Sequence, residues 1–419
     1  MIEHTFKSIS IVQYFKLLLL LFLGLELNAQ TNEIVNFNSG DLSLNGTFST
    51  PSDEEPFPVV ILIHGSGPSD RDQTVTLTGG NAQCLYPSLY NQTIKNFKDL
   101  AEQLQAHGIA VLRYDKRSFT HGSTLNPQTI TPYDFVDDAS AAVDYVKTRS
   151  DVDTNRIFLI GHSQGANFNP LIANERDDIA AFISMGTVAR GIDSILALQF
   201  RHLYYYCLND TVQGDAIYNQ TLSDFSQIRT ATWPQNTTYL DVYPSFWQDW
   251  LNVTDSTIYH FNQASQPMLF LHASDDFNVP AEDAQLLQEN LSSDFDFYYM
   301  NGLNHYFTES TSANLSEAVG DTIYYWLNQH FVLSSVNNDD YNQDLLHLWK
   351  INNHIHLTAP TERQIQEVSL LNVEGRVVFN QRNIQSSTFS LLKDAYAHGV
   401  YILSVQIGHE HVFKKILIN

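Results

Sequence analysis

Arg156-Ile157-Phe158-Leu159-Ile160-Gly161-His162-Ser163-Gln164-Gly165-Ala166-Asn167 is the stretch whose reading decides the rest. Ile157 to Ile160 is a short apolar run, β-branched at both ends, and reads as a fully buried strand. It stops at Gly161, and a helix-compatible Ala-Asn-Phe run begins at Ala166. Between them stands Gly-x-Ser-x-Gly, the pattern that holds a nucleophilic serine on a sharp strand-to-helix turn. A residue on a strained turn needs neighbours without a Cβ, so that strand and helix can close around it. The N–H groups that open the following helix then face the serine and favour negative charge beside it. Ser163 is the candidate nucleophile, and the backbone N–H of Gln164 is a candidate oxyanion donor.

Outward from this stretch, strand and helix patterns alternate, which spells an α/β fold with a mostly parallel central sheet. Ile34–Phe37 and Leu42–Phe48 read as opening strands, and Thr50–Pro56 as a loop. Pro58–Ile63 is a buried strand that runs into His64-Gly65-Ser66-Gly67-Pro68-Ser69-Asp70-Arg71-Asp72. Small residues directly after a central strand let backbone N–H groups approach a ligand, so Ser66 or Gly67 is the expected first half of an oxyanion hole. Asp70, Arg71 and Asp72 are expected to brace that loop through mutual hydrogen bonds. Thr74–Asn91 reads as an irregular insert that rims the pocket or grips a cap. Helices are expected at Phe97–Leu104 and Pro132–Lys147, and a strand at Ile109–Asp115. Asp151, Asp153 and Asn155 lack the glycine and terminal Glu of a calcium loop and read as a solvated turn. Ala180–Gly186 is a further strand. The alternation then breaks: residues about 190–266 are rich in aromatics and read as an inserted helical cap. It resumes with the strand Pro267–His272, the helix Ala281–Leu291, the strand Phe295–Tyr299 and a closing helix from about Leu315 to Phe331.

A serine hydroxyl needs a base within hydrogen-bond reach, and the base needs a carboxylate to fix its tautomer. His305, one of sixteen histidines, follows the last sheet strand behind Gly302. Asp276 follows the strand before it and completes an Asp-x-x-Val-Pro segment, which favours it over Asp275. Ser163, Asp276 and His305 thus all sit past carboxyl ends of strands, the edge where open α/β sheets bind ligands. His64 and His162 read as structural neighbours that bond across the loops. These segments together resemble a capped α/β-hydrolase over residues 30–331, close to the serine aminopeptidase-like and dienelactone-hydrolase-like esterase branches. The resemblance implies Ser163, Asp276 and His305 as a catalytic triad, Ser66 or Gly67 with Gln164 as oxyanion donors, and no metal or organic cofactor. One departure stands out: that family usually has Asp-x-Arg-Gly-x-Gly where this chain has Asp115-Lys116-Arg117-Ser118-Phe119-Thr120. The expected activity is cleavage of carboxylic esters or related acyl bonds. An exopeptidase and a non-catalytic surface binding protein are the alternatives.

The net charge of -24 opposes phosphate backbones, so nucleic acid is not an expected partner. Residues 1–29 read as a signal peptide, with Lys7, Lys16, the apolar run Leu17–Leu23 and cleavage after Ala29. That run is too short for a permanent span. Export permits a bond between Cys84 and Cys207, and spacing alone leaves their pairing open. Residues 332–344 read as a linker, and residues 345–419 carry short alternating strands of a small all-β domain. Val368–Val378, Gly399–Leu403 and Lys414–Ile418 resemble the type A sorting domain of the type IX secretion system, without its usual Tyr-Pro-Asn-Pro start. The resemblance implies passage through the periplasm, contact with the secretion machinery, and delivery to the cell surface or medium. An accessory β-sandwich is the other reading of these strands.

Overall fold

The computed structural model describes residues 30–51, 55–331, 333, 346–351, 354–360, 363–372, 376–397, 399–408 and 410–418. The expected signal peptide, nearly all of the linker, and the turn at Glu374-Gly375 lie outside the described residues.

In chain order the strands of the first part are β1 (Thr31–Ser39), β2 (Leu42–Thr50), β3 (Phe57–Ile63), β4 (Thr74–Thr76), β5 (Thr93–Lys95), β6 (Ala110–Tyr114), β7 (Val152–His162), β8 (Ala181–Met185), β9 (Met268–Ala273) and β10 (Asp296–Met300). Eight of them form one sheet in the order β1-β2-β6-β3-β7-β8-β9-β10. β1, β2 and β6 pair antiparallel, and every later neighbour pairs parallel. Every residue of β3, β6, β8 and β9 is buried, as continuous apolar runs in a sheet covered on both faces require. Alternate residues feed two separate cores. Val59, Ile61 and Ile63 join the core that includes the helices Pro132–Lys147 and Gln164–Glu175. Val60 and Leu62 join the core on the other face, with the helices Asn96–Ala106 and Glu317–Phe331.

After β3 the chain crosses to β6 on one side, then returns to place β7 on the other. The loops leaving β3 and β7 therefore diverge, and a crevice opens between them. β7 is longer than its apolar run: Asp153, Thr154 and Asn155 extend it outward, so periodicity finds only its buried half. Asp151 and Asp153 there pair with Arg149 and Arg156.

Residues 190–266 hold four helices, Ile192–Cys207, Thr211–Arg229, Pro244–Asp255 and Thr257–Gln263. Their aromatics divide by role. Phe225, Trp247 and Trp250 are buried in the first core, whereas Tyr205, Tyr206 and Tyr218 line a cleft. The insert after β3 is more regular than its sequence implied. β4 and β5 pair across it, and it contains the helix Gly79–Leu85. It is bonded to the cap, because Cys84 and Cys207 form a disulfide that closes 123 residues of chain. Replacing both cysteines by serine is expected to lower stability by about 2–4 kcal/mol, read as a lower urea midpoint. An unchanged midpoint would show that the bond adds nothing to the folded chain.

The C-terminal strands are β11 (His347–Ile351), β12 (His354–Thr358), β13 (Ile365–Asn372), β14 (Val377–Ser386), β15 (Thr388–Leu392), β16 (Gly399–Ile407) and β17 (Glu410–Ile418). They form a three-stranded sheet, β11-β12-β15, and a four-stranded sheet, β14-β13-β16-β17, around their own core, which includes Ile355, Val368, Leu403 and Ile416. β14 runs on to Ser386. Its second half is polar because it is an exposed sheet edge, where polar side chains discourage further pairing.

Candidate active site

Ser163 joins β7 to the helix Gln164–Glu175 with φ 54° and ψ -117°, a conformation costly for any residue with a Cβ. Its own N–H donates to the Met185 carbonyl of β8 at 2.8 Å, which pins the turn to the sheet. The flanking glycines are sterically required. A Cβ on Gly161 would collide with the Gly165 backbone oxygen, and one on Gly165 with the Ile63 oxygen of β3. Gly165→Ala is therefore expected to cost about 1–3 kcal/mol or more by overpacking. A Cβ on Gly80 would meet nothing. Urea midpoints should fall for Gly165→Ala and hold for Gly80→Ala; equal midpoints would contradict the steric argument.

The loops after β9 and β10 are sewn together. Asp275 N–H donates to Leu303 O at 2.9 Å, and Gly302 N–H to Ser274 Oγ at 2.8 Å. That stitching brings His305 Nδ1 to 2.7 Å from Asp276 Oδ2. A carboxylate can only accept, so Nδ1 carries the proton and donates, leaving Nε2 as the basic nitrogen. The other Asp276 oxygen accepts from the N–H groups of Asn278 and Val279 at 2.8 and 2.9 Å. Burial alone would raise the Asp276 carboxyl, but the facing His305 ring and these N–H groups hold it below the ordinary range. Asp275 instead is exposed and meets Ser274.

His162 and His64 are tied down as neutral rings. His162 Nδ1 accepts from Gln73 Nε2 at 2.9 Å, so its Nε2–H donates to the His305 carbonyl at 2.8 Å. This contact carries the residue beside Ser163 onto the backbone of His305, with the two rings 4.8 Å apart. Burial, then the nearby His305, pulls His162 down to about 3. Burial, then Lys116, does the same to His64, whose Nε2–H donates to Asp70 O at 2.9 Å.

Ser66 and Gly67 lie exposed at the mouth of the loop after β3, and Gln164 is buried at the first position of its helix. N–H groups at that position have no partner within a helix. The Asp70-Arg71-Asp72 brace works differently from the sequence expectation. The three do not bond one another but reach outward. Asp70 accepts from Thr74 at 2.8 and 2.7 Å. Arg71 grips Asp115 with Nε and Nη2 at 3.0 and 2.7 Å, and Asp72 pairs with Arg113 of β6. The distant partners of Arg71 and Asp72 are not visible along the chain. The segment that departs from Asp-x-Arg-Gly-x-Gly forms a single helical turn, Arg117–Thr120. There Arg117 bonds Asp138 at 2.8 and 2.6 Å, and Lys116 is buried beneath the loop after β3.

Aromatic rings line the way from this centre to the cap. Tyr86 stands 5.8 Å from Tyr306 and 5.6 Å from Phe277, and Phe277 stacks on His202 at 5.1 Å. A cleft of about 660 Å³ lies beyond, between the helix Ile192–Cys207 and the loop after β9; it borders Asp276 and Phe277. Among the described residues, no cluster of side chains could hold a metal ion, and no helix is long and apolar enough to cross a membrane.

Comparison with known families decides the affiliation. Residues 88–310, more than half of the chain, match the family described as serine aminopeptidase, S33. The chain belongs to that family. The S33 match spans the segment from the insert through the loop that carries His305. Residues 351–419 match a secretion system C-terminal sorting domain, so this S33 member is secreted or displayed at the cell surface. Esterase EstD of Thermotoga maritima is 30% identical over 261 residues, which are 61% of this chain and 56% of that protein. The quorum-quenching protein AidA of Acinetobacter baumannii is 25% identical over 164 residues, 39% of this chain and 46% of that one. The chain thus spans about half the length of the curated relatives it matches. Among solved structures, Est1E from Butyrivibrio proteoclasticus aligns with a TM-score of 0.46 at 17% identity, covering 71% of this chain and 99% of that one. An acylaminoacyl peptidase of Pyrococcus horikoshii aligns at 0.47 and 13% identity, covering 76% and 44%.

Proposed function

We propose that this S33 member is a secreted serine hydrolase that cleaves carboxylic esters through an acyl-enzyme on Ser163. The observation that carries the reading is the His305–Asp276 pair, with its proton on Nδ1, beside the strained Ser163 turn. Ser163 Oγ attacks the carbonyl while His305 Nε2 takes its proton and returns it to the leaving alcohol. Asp276 holds the ring in that tautomer and stabilises the imidazolium. The N–H of Ser66 or Gly67, with that of Gln164, receives the charge that develops on the carbonyl oxygen. Water then repeats the sequence on the acyl-enzyme. The 30% identity to Esterase EstD supports an ester over other acyl bonds.

A peptidase reading draws on the cleft. Asp275 and Glu282 stand exposed on one wall, where they suit a free amino terminus. Arg201 on the cap side suits a carboxylate instead, while Arg190 beside it is paired with Asp283. The deciding experiment compares 4-nitrophenyl esters from acetate to decanoate with aminoacyl-4-nitroanilides, alongside labelling by a fluorophosphonate probe. Faster ester turnover with probe labelling is the expected result. Faster anilide turnover would replace esterase by peptidase, and absence of both labelling and turnover would leave a binding protein.

A further inference from the structure

We propose that Lys116 is a positioning residue for the oxyanion hole. Its ammonium ties the Gly65–Ser66 peptide to the Gln164 side chain, so that the N–H groups of Ser66 and Gln164 converge on one point. This rests on the serine-hydrolase reading above.

Lys116 leaves the end of β6 and turns inward under the loop after β3, where it is 3% exposed. Its Nζ donates to the Gly65 carbonyl at 2.7 Å and to Gln164 Oε1 at 2.9 Å, and lies 4.2 Å over the Phe135 ring. The Gly65 carbonyl and the Ser66 N–H belong to one amide. A trans peptide is planar, with C=O and N–H pointing in opposite directions. Holding the carbonyl towards Lys116 therefore turns the Ser66 N–H away from it. Gly65 itself abuts the serine turn, since a Cβ built on it would stand 3.3 Å from Ser163 Cβ. A cation on the carbonyl also polarises the amide and makes its N–H a stronger donor. The second bond fixes the side chain of the residue whose own N–H is the other donor. One ammonium thus touches both halves of the hole. It also chooses between the two candidates in the loop, because the Gly67 N–H belongs to the next amide, which Lys116 does not reach.

No carboxylate among the described residues lies within ion-pair distance of Lys116. Asp138, the carboxylate whose field favours its charge, is bonded to Arg117, and Asp115 is bonded to Arg71. A buried cation without an ion-pair partner is costly, and burial pulls Lys116 down to about 7. The other titratable rings against it do not change charge near neutrality: His64 is lowered to about 3 and Tyr114 is raised well above its usual value, each chiefly by burial.

The test measures kcat and KM for 4-nitrophenyl butyrate from pH 6 to 9 with the wild type, Lys116→Met and Lys116→Arg. Removing one oxyanion donor outright costs roughly 10²–10³-fold in kcat. Lys116→Met, which leaves both donors but frees them, should lose about 10- to 100-fold in kcat, with KM changed less than about threefold. Lys116→Arg, which keeps the charge, should recover part of the loss. Wild-type kcat should fall as pH rises through about 7, and Lys116→Met should lack that limb. A kcat within twofold of wild type, or a variant that keeps the alkaline limb, would overturn the proposal. Should Lys116→Met fail to fold, Gln164→Leu, which removes the Oε1 acceptor and keeps the backbone N–H, should lower kcat by about tenfold or more, and a kcat within twofold of wild type would overturn the proposal. Fluorophosphonate labelling of the wild type, lost in Ser163→Ala, tests the parent reading separately: labelling with an unaffected Lys116→Met sinks only the role of Lys116.

Discussion

Ser163→Ala should lower kcat for a 4-nitrophenyl ester by at least about 10⁴-fold and abolish fluorophosphonate labelling. The size follows from what the hydroxyl does. Without it no acyl-enzyme forms, and His305 can only assist water, while the N–H groups of the hole still bind the carbonyl. The residual rate of such variants is set by those remaining donors, so the loss is large but finite. Stability should hold or rise slightly, because the smaller side chain leaves the φ of 54° in place and carries no hydroxyl into the turn. Labelling that survives in Ser163→Ala would mean that another residue is the nucleophile, and the proposed mechanism would fall with it.

Asp276→Asn is the second large effect, about 10⁴-fold in kcat, while Asp275→Asn should stay within about threefold. The reason is a forced tautomer. Asp276 Oδ1 accepts two backbone N–H groups, so an asparagine must keep its carbonyl oxygen there. Its amide then faces His305 Nδ1 as a donor. The ring has to accept at Nδ1 and carry its proton on Nε2, where it can no longer take one from Ser163. Fold and burial should be nearly unaffected, so a thermal midpoint close to wild type must accompany the loss. Asp275 has no such contact, being turned towards Ser274. A comparable loss in both variants would remove the basis for choosing between the two aspartates.

The elements that could be read along the chain are those whose reason is local. The buried runs at Val59–Ile63, Phe158–Ile160 and Leu269–Leu271 announce strands because a parallel sheet covered on both faces leaves no polar position within them. Gly161 and Gly165 announce the turn because nothing with a Cβ fits. What stayed hidden depends on partners far away in sequence. Lys116 carries no local sign of its place, because Gly65, Phe135 and Gln164, which surround it, lie far along the chain. Asp72 and Arg71 read as partners of each other until β6 supplies Arg113 and the loop after it Asp115. The second half of β14 gives no strand signal because an exposed edge shows no apolar alternation. Cys84 and Cys207 give no local sign of their pairing, since their proximity depends on how the cap helix comes back over the insert.

That last bond has a bearing on timing. A disulfide does not persist in the reducing cytosol, whereas a sorting tail destines this chain for the outside. The link between insert and cap can thus be fastened only once the polypeptide has left the compartment of its synthesis. A freshly made copy inside the cell would hold its roof by packing alone, and the finished architecture would belong to the exported molecule.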